Sequence, residues 1–409
     1  MANSVDVLYR YARPSQGRIS DGATSVELTT TDTTVFLDAH AERSDVVAAG
    51  LLAVGHLPGT RFYVPPGSFQ RLQASDPIVT ADPDALRFES LSACCGVTAR
   101  LDVLPSGLDI SRARHGTTNV DINPALRRLL AQVRKGDPMR LSVADEGLDV
   151  RTLDGHAHER KVSLPQRWVR SLAELQVLLA QLSLVAEVDT MGLRAFVRSL
   201  PRSTPAQAVF WVQPLRSGLR LGSSPAPGSV AVGGPERIRV LESVLRHATG
   251  LRVYGQVGDA AATSCWVVDL PHSRLSVSLS PQTTRGFSGE GALLEDLVDA
   301  NPDALEAAHG RRGFDVAEQR YFDRVLPFGR DVLSEHPRLA RAQRLVLDGA
   351  VVADGADHSV RTSGGRHLVR RGADGAERCT CTWYAKHGSG RGPCAHVLAV
   401  RLADRRTDG

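Results

Sequence analysis

The chain lacks most of the marks that assign an activity directly. No apolar run in its 409 residues reaches the roughly 18–20 residues that a membrane span needs. The longest candidate, Val46 to Leu57, is interrupted by glycines and His56 and reads as a core helix. There is no Gly-x-x-x-x-Gly-Lys-Ser/Thr loop to cradle phosphates and no dinucleotide fingerprint. Gly286-Phe287-Ser288-Gly289 lacks the fifth-position glycine of a nucleophile elbow. The opening residues Met1 to Asp6 lack the basic start and apolar centre of a secretory signal. The expectation is a cytoplasmic chain, where disulfides are rare. Lysine is nearly missing, with 3 Lys against 46 Arg, a skew that reflects a GC-rich genome rather than nucleic-acid binding.

Cysteine is also scarce, and four metal-ligand residues nevertheless fall together. Cys379 and Cys381 are followed after twelve residues by Cys394 and His396. Two tight pairs of soft or borderline donors across a short loop suit a closed tetrahedral zinc site. Residues i and i+2 of an extended chain point to one side, so Cys379 and Cys381 can share a metal if Thr380 sits on a strand or at its corner. His367 to Arg370, a turn over 372–375 and Ala376 to Cys379 read as a hairpin. Gly392-Pro393 breaks the loop and opens a helix, whose apolar face is Val397, Leu398, Val400 and Leu402. The inferred unit is ββα around one structural zinc ion. His387 lies inside the loop as a spare ligand, but the set is complete without it.

The pattern resembles the SWIM zinc finger, whose signature is Cys-x-Cys, a variable spacer and Cys-x-His. Each ligand carries over, at Cys379, Cys381, Cys394 and His396, and the resemblance covers about residues 357–404. It implies a module that binds DNA or proteins, of a kind common in bacterial chains. It also implies, for some members, a partnership with an AAA+ ATPase and a von Willebrand A-type protein.

Charge distribution adds to this. Residues 361–409 hold ten Lys/Arg and four Asp/Glu, giving +6, against −2 for the preceding 360. A local basic patch raises the case for nucleic-acid contact, and the candidate phosphate ligands are Arg366, Arg370, Arg371, Arg378, Lys386 and Arg391. Trp383 and Tyr384 either stack on bases or fill the small core beneath the metal.

Upstream the fold class reads as α+β, with antiparallel sheet-plus-helix units. Three hairpins are expected: 99–103 with 107–110, 139–143 with 147–150, and 209–212 with 218–221. Each return begins with glycine, and a proline follows that glycine by 17, 18 and 17 residues, at Pro124, Pro165 and Pro235. Each proline opens an amphipathic helix, ending near 133, 179 and 246. Units this small must share a sheet or pack together, and such units also build clamp-like and other interaction scaffolds. A hairpin at 266–270 and 275–279 repeats the rhythm without the glycine. Residues 291–347 read as mostly helix, broken near Pro327, with Ser288 or Gly289 capping the stretch from Ala292 to Ala300. The expected organisation is an α+β domain over 1–205, a second α+β unit over 206–300, a helical connector over 301–348 and the finger over 349–409.

Other candidate chemistry reads as structure. His115 to Asp121 is a loop leading to an Asn123-Pro124 helix start. His156, His158 and Glu159 lie on a solvated hairpin, and Cys94, Cys95 and Cys265 are small core residues. The functional expectation is a non-catalytic interaction protein that docks to a partner protein or complex. The alternative is a nucleic-acid-binding accessory protein. An enzyme with the finger as accessory is third.

Overall fold

The computed structural model describes residues 16–20, 23–27, 34–63, 77–162, 164–258, 260–298, 310–326, 336–355 and 357–407. The expected break near Pro327 lies outside them. Mixed α and β structure is built on antiparallel sheets. The largest has eight strands, in the order Ser183–Asp189, Gly250–Gly255, Ser264–Leu270, Ser273–Leu279, Val97–Val103, Ala85–Leu91, Ile78–Asp82 and Gly116–Asn119. It takes strands from both sides of residue 205, so the segments before and after that point share one sheet. A five-stranded sheet joins 155–160, 147–152, 140–144, 35–41 and 108–113, and a three-stranded sheet joins 218–222, 209–215 and 230–233.

The expected core helix forms over Ser44–His56, and Val46, Leu51 and Val54 are fully buried. It is apolar on nearly every side, as a helix inside a core must be. The principal core unites it with Leu86, Phe88, Leu101 and Val277 of the large sheet and with Leu37 and Leu141 of the five-stranded one. On the opposite face of the large sheet, Leu175 and Leu179 of the Gln166–Ala180 helix pack on Cys265 and Val267.

Two of the three glycine hairpins form as expected, 140–144 with 147–152 and 209–215 with 218–222. Gly147 and Gly218 both have φ +156°, which the return after a tight turn requires and which glycine adopts most readily. The first expected hairpin does not form. Pro105–Gly107 makes a 3₁₀ turn, and the chain then changes sheets. Val97–Val103 pairs with Ala85–Leu91 and Ser273–Leu279, whereas Leu108–Ala113 pairs with Val35–Ala41. The helices at Pro124 and Pro165 form, with Asn123 capping the first through hydrogen bonds from the Ala125 and Leu126 amides. The third is a run of 3₁₀ turns over Pro235–Val244.

The mostly helical connector is corrected. Arg312–Asp315 and Arg320–Asp323 form an antiparallel hairpin. Its position is fixed by tertiary contacts: the Phe314 amide donates to Gln176 Oε1 at 2.6 Å, and Arg100 Nη1 donates to the Phe314 carbonyl at 2.8 Å. The hairpin closes a charged layer on the large sheet. There Arg87, Arg100 and Arg274 meet Asp102 and Asp315, and the Arg87 guanidinium lies 4.0 Å from the Phe322 ring centroid. Among the described residues the helical parts are Leu293–Val298 and Pro337–Leu347. Neither Ser288 nor Gly289 caps the first of these. Glu174 Oε1, from the Gln166–Ala180 helix, accepts from the Ala292 and Leu293 amides instead.

The C-terminal unit contains the expected two strands and helix, at Gly365–Arg371, Glu377–Cys379 and Ala395–Thr407, and is larger than they are. Val351–Asp354 and Asp357–Thr362 extend the sheet to four strands, in sequence order. The Pro337–Leu347 helix belongs to the same small core, through Ala342 and Leu345. No helix among the described residues is long and apolar enough to cross a membrane.

Candidate metal centre

Each donor is placed by a different element. Val369 is buried and pairs with Cys379, so Cys379 faces inward from the edge strand. Cys381 is the N-cap of a short helix, Thr382–His387, and its Sγ accepts from the Tyr384 amide at 3.4 Å. Cys394 immediately precedes the Ala395–Thr407 helix, which also carries His396. Cys381 and Cys394 therefore each sit at a helix start, where unpaired backbone N–H groups and the helix dipole favour thiolate.

The four side chains converge. One donor atom from each of Cys379, Cys381, Cys394 and His396 lies within 4.8 Å of all the others, and all four residues are buried. Metal–sulfur bonds of about 2.3 Å and metal–nitrogen bonds of about 2.0–2.1 Å imply tetrahedral edges of roughly 3.6–3.8 Å. The Cys379 Sγ to His396 Nδ1 separation is 3.7 Å. Nε2 of His396 is buried without a hydrogen-bond partner among the described residues. Its ring packs 4.4 Å, centroid to centroid, from His367.

The three thiols differ in their electrostatics. Hydrogen bonding from the Cys379 thiol, opposed by burial and aided by His396 and the Val397 amide, holds Cys394 down to about 4. Cys379 moves the other way because it keeps the proton that it donates to Cys394, and burial adds to the rise. Burial also raises Cys381. One thiolate is thus supported by the protein alone, and three buried thiolates require a positive ion among them. The group can hold one metal ion with four protein ligands.

The aromatic residues beside the site take the core role. Trp383 and Tyr384 pack partly buried against the C-terminal core, and the Arg338 guanidinium lies 4.9 Å from the Trp383 ring centroid. His387 is not in the metal group. Its ring meets Trp383 edge-on.

The six proposed phosphate ligands do not form one surface. Arg366 and Arg370 project from the outer face of the Gly365–Arg371 strand, opposite in parity to buried Val369. Arg378 is the cross-strand partner of Arg370 and shares that face. Arg371 points the other way, toward Glu377 and Asp404. Arg391 is turned onto the upstream body, where it donates to the Gly289 carbonyl at 3.0 and 3.1 Å. Lys386 is exposed on the short helix. Carboxylates already meet the exposed arginines, as Asp354 does Arg366, Asp357 does Arg370 and Asp374 does Arg378. Sequence reasoning missed Arg361, directly across from Arg366. The signal lay in the strand register, which that reading did not extend upstream of His367.

Elsewhere the quieter readings hold. Cys95 and Cys265 are buried, and burial pushes both thiols up to about 11, whereas Cys94 is partly exposed. His158 pairs with Asp149 at 3.2 Å on a hairpin open to solvent. Glu159 departs from expectation. It is buried, accepts from Asn123 at 3.0 Å, and burial followed by Asp121 raises it to about 7.

No family model matches the chain, and no curated protein matches it. Among solved structures it is similar to the proliferating cellular nuclear antigen of Entamoeba histolytica, with 8% identity, a TM-score of 0.39, and coverage of 60% of this chain and 99% of that one. It is also similar to the PCNA2–PCNA3 complex of Sulfolobus tokodaii, with 9% identity, a TM-score of 0.42, and coverage of 60% and 100%. At this distance the likeness is one of backbone path.

Proposed function

We propose that the chain is a zinc-binding, non-catalytic interaction protein. A C-terminal SWIM-type finger, held by one structural zinc ion at Cys379, Cys381, Cys394 and His396, docks it to a partner protein or complex. The closed donor set carries this reading. Four buried donors within 4.8 Å of one another would, around one zinc ion, complete a tetrahedron and leave no position for water or substrate. When bound, zinc supplies the charge that three thiolates need and links metal binding to folding of the module. The bacterial source and cytoplasmic location belong to the same proposal. An AAA+ ATPase or von Willebrand A-type partner rests on the resemblance alone.

Nucleic-acid binding is the second reading, favoured by the shared outer face of Arg366, Arg370 and Arg378. It ranks below protein docking because aspartates already meet these arginines and because Arg371 and Arg391 are engaged within the chain.

Metal analysis of the purified chain under reducing conditions should give one zinc per chain. Cys394→Ala should lose it and unfold the finger while the upstream sheets keep their cooperative melt. A wild-type chain without zinc after metal-replete expression sinks the proposal. Binding that falls steeply with salt in proportion to neutralised phosphates transfers the case to nucleic acid.

A further inference from the structure

The four-stranded sheet of the finger has two unlike faces. Val360, His367, Val369 and Cys379 point inward, toward the candidate metal group and the Ala395–Thr407 helix. Strand alternation sends Arg361, Arg366, Leu368, Arg370 and Arg378 to the other side. There the register sets arginine against arginine twice, Arg361 opposite Arg366 and Arg370 opposite Arg378. Like charges directly across a strand pair are destabilising, a cost that Asp354, Asp357 and Asp374 offset at Arg366, Arg370 and Arg378. The side chains of Arg366, Arg370 and Arg378 are 58%, 64% and 65% exposed, too open for burial to explain them. Leu368 lies between the two arginine pairs and is half-buried, and Val352, at the margin, is 47% exposed.

We propose that this open face is a docking surface for a short, extended acidic protein segment that carries an apolar residue between two acidic ones. The inference rests on the interaction role proposed above and names the partner's chemistry. Arg366 and Arg370 are four residues apart on one strand, about 13 Å at ~3.3 Å per residue. An extended segment with acidic residues at i and i+4 spans the same distance and places residue i+2 on Leu368. The arginines already pair with the carboxylates of Asp354, Asp357 and Asp374, so the geometry for meeting a carboxylate is present on this face. Among the described residues the face offers no aromatic ring on which a base could stack, which favours a peptide over a nucleic acid.

The test uses the full chain, with one zinc per chain verified on each batch, and a fluorescein-labelled decapeptide containing Glu-Ser-Leu-Ser-Glu. A scrambled peptide of the same composition and a labelled DNA duplex are titrated beside it. The ordered peptide should bind best. The double variant Arg361→Glu/Arg378→Glu should weaken it about tenfold or more, yet raise the thermal midpoint of the finger, because each glutamate then faces an arginine. Arg370→Gln, which removes one exposed charge without reversing it, should weaken binding in the same direction. Lys386→Ala, off this face, should leave it unchanged. Equal binding of the scrambled peptide, wild-type affinity in both arginine variants, or tighter binding of the duplex through the same arginines overturns the proposal. A wild-type chain without zinc overturns the functional reading itself, whereas a zinc-loaded chain that ignores the peptide overturns only this assignment.

Discussion

Glu174 shows how one buried side chain can tie distant parts of a chain together. It is 3% exposed, and its carboxylate accepts the first two amides at the Leu293–Val298 helix, more than a hundred residues away in sequence. Burial raises it to about 7, against the lowering effect of those amides. A carboxyl raised in the folded state contributes stability that is complete below its unfolded value of about 4.5 and is lost as pH rises through about 7. We expect Glu174→Gln, which keeps an acceptor oxygen for both amides, to flatten that dependence. Urea midpoints from pH 4.5 to 7.5 check it, and a variant as pH-sensitive as the wild type refutes it. The candidate metal group at Cys379, Cys381, Cys394 and His396 could be read from sequence because its spacing is local and its chemistry narrow. Glu174 could not, because nothing near it in the chain marks it as a cap.

The hairpin over 312–323 teaches the same lesson for an element. Its strands, Arg312–Asp315 and Arg320–Asp323, have four residues each, too few for alternation to outweigh a helical pattern around them. What holds them is the large sheet. Asp315 meets Arg274 at 2.6 Å, Arg100 at 3.3 Å and Arg87 at 3.6 Å, all of them buried. Burial raises the Asp315 carboxyl, but the Arg100, Arg274 and Arg87 charges outweigh it and hold the group below its usual value. Removing one partner from a buried ionic network leaves charge uncompensated, so Asp315→Ala should cost roughly 3–5 kcal/mol. The sign with pH is opposite to that of Glu174. The contribution of Asp315 is complete above the unfolded carboxylate value and is lost as pH falls through its lower folded value. Denaturation at pH 7 should therefore separate the variant from the wild type widely, and at about pH 3 the gap should narrow. The glycine hairpins were legible where Gly147 and Gly218 turn within one sheet. They were not at Gly107, where the next strand joins a different sheet, because strand partners are chosen by packing.

Across the whole molecule, the finger is joined to the upstream body through the loop that carries Cys394. Arg391 donates to the Gly289 carbonyl, and within the C-terminal unit Arg338 holds that loop by donating to the Arg391 and Pro393 carbonyls at 2.6 and 3.0 Å. Leu294 from the body completes the finger's apolar core. Gly392 has φ +64°, and a Cβ there would lie 2.1 Å from the Gly291 carbonyl oxygen. Two backbones thus approach at a point where neither a side chain nor an ordinary φ fits. Metal binding and docking share these few residues, so loss of the metal should release the finger from the body, while loss of docking need not release the metal. Gly392→Val tests this asymmetry, because it blocks the approach and leaves all four ligands in place. We expect one metal ion per chain to persist. Amide exchange at Ala292 and Leu293, expected to be slow while Glu174 holds them, should quicken by at least tenfold as the contact opens. In Cys394→Ala both the metal and that protection should go together. Unchanged protection in either variant would show that the body holds residues 285–293 without the finger.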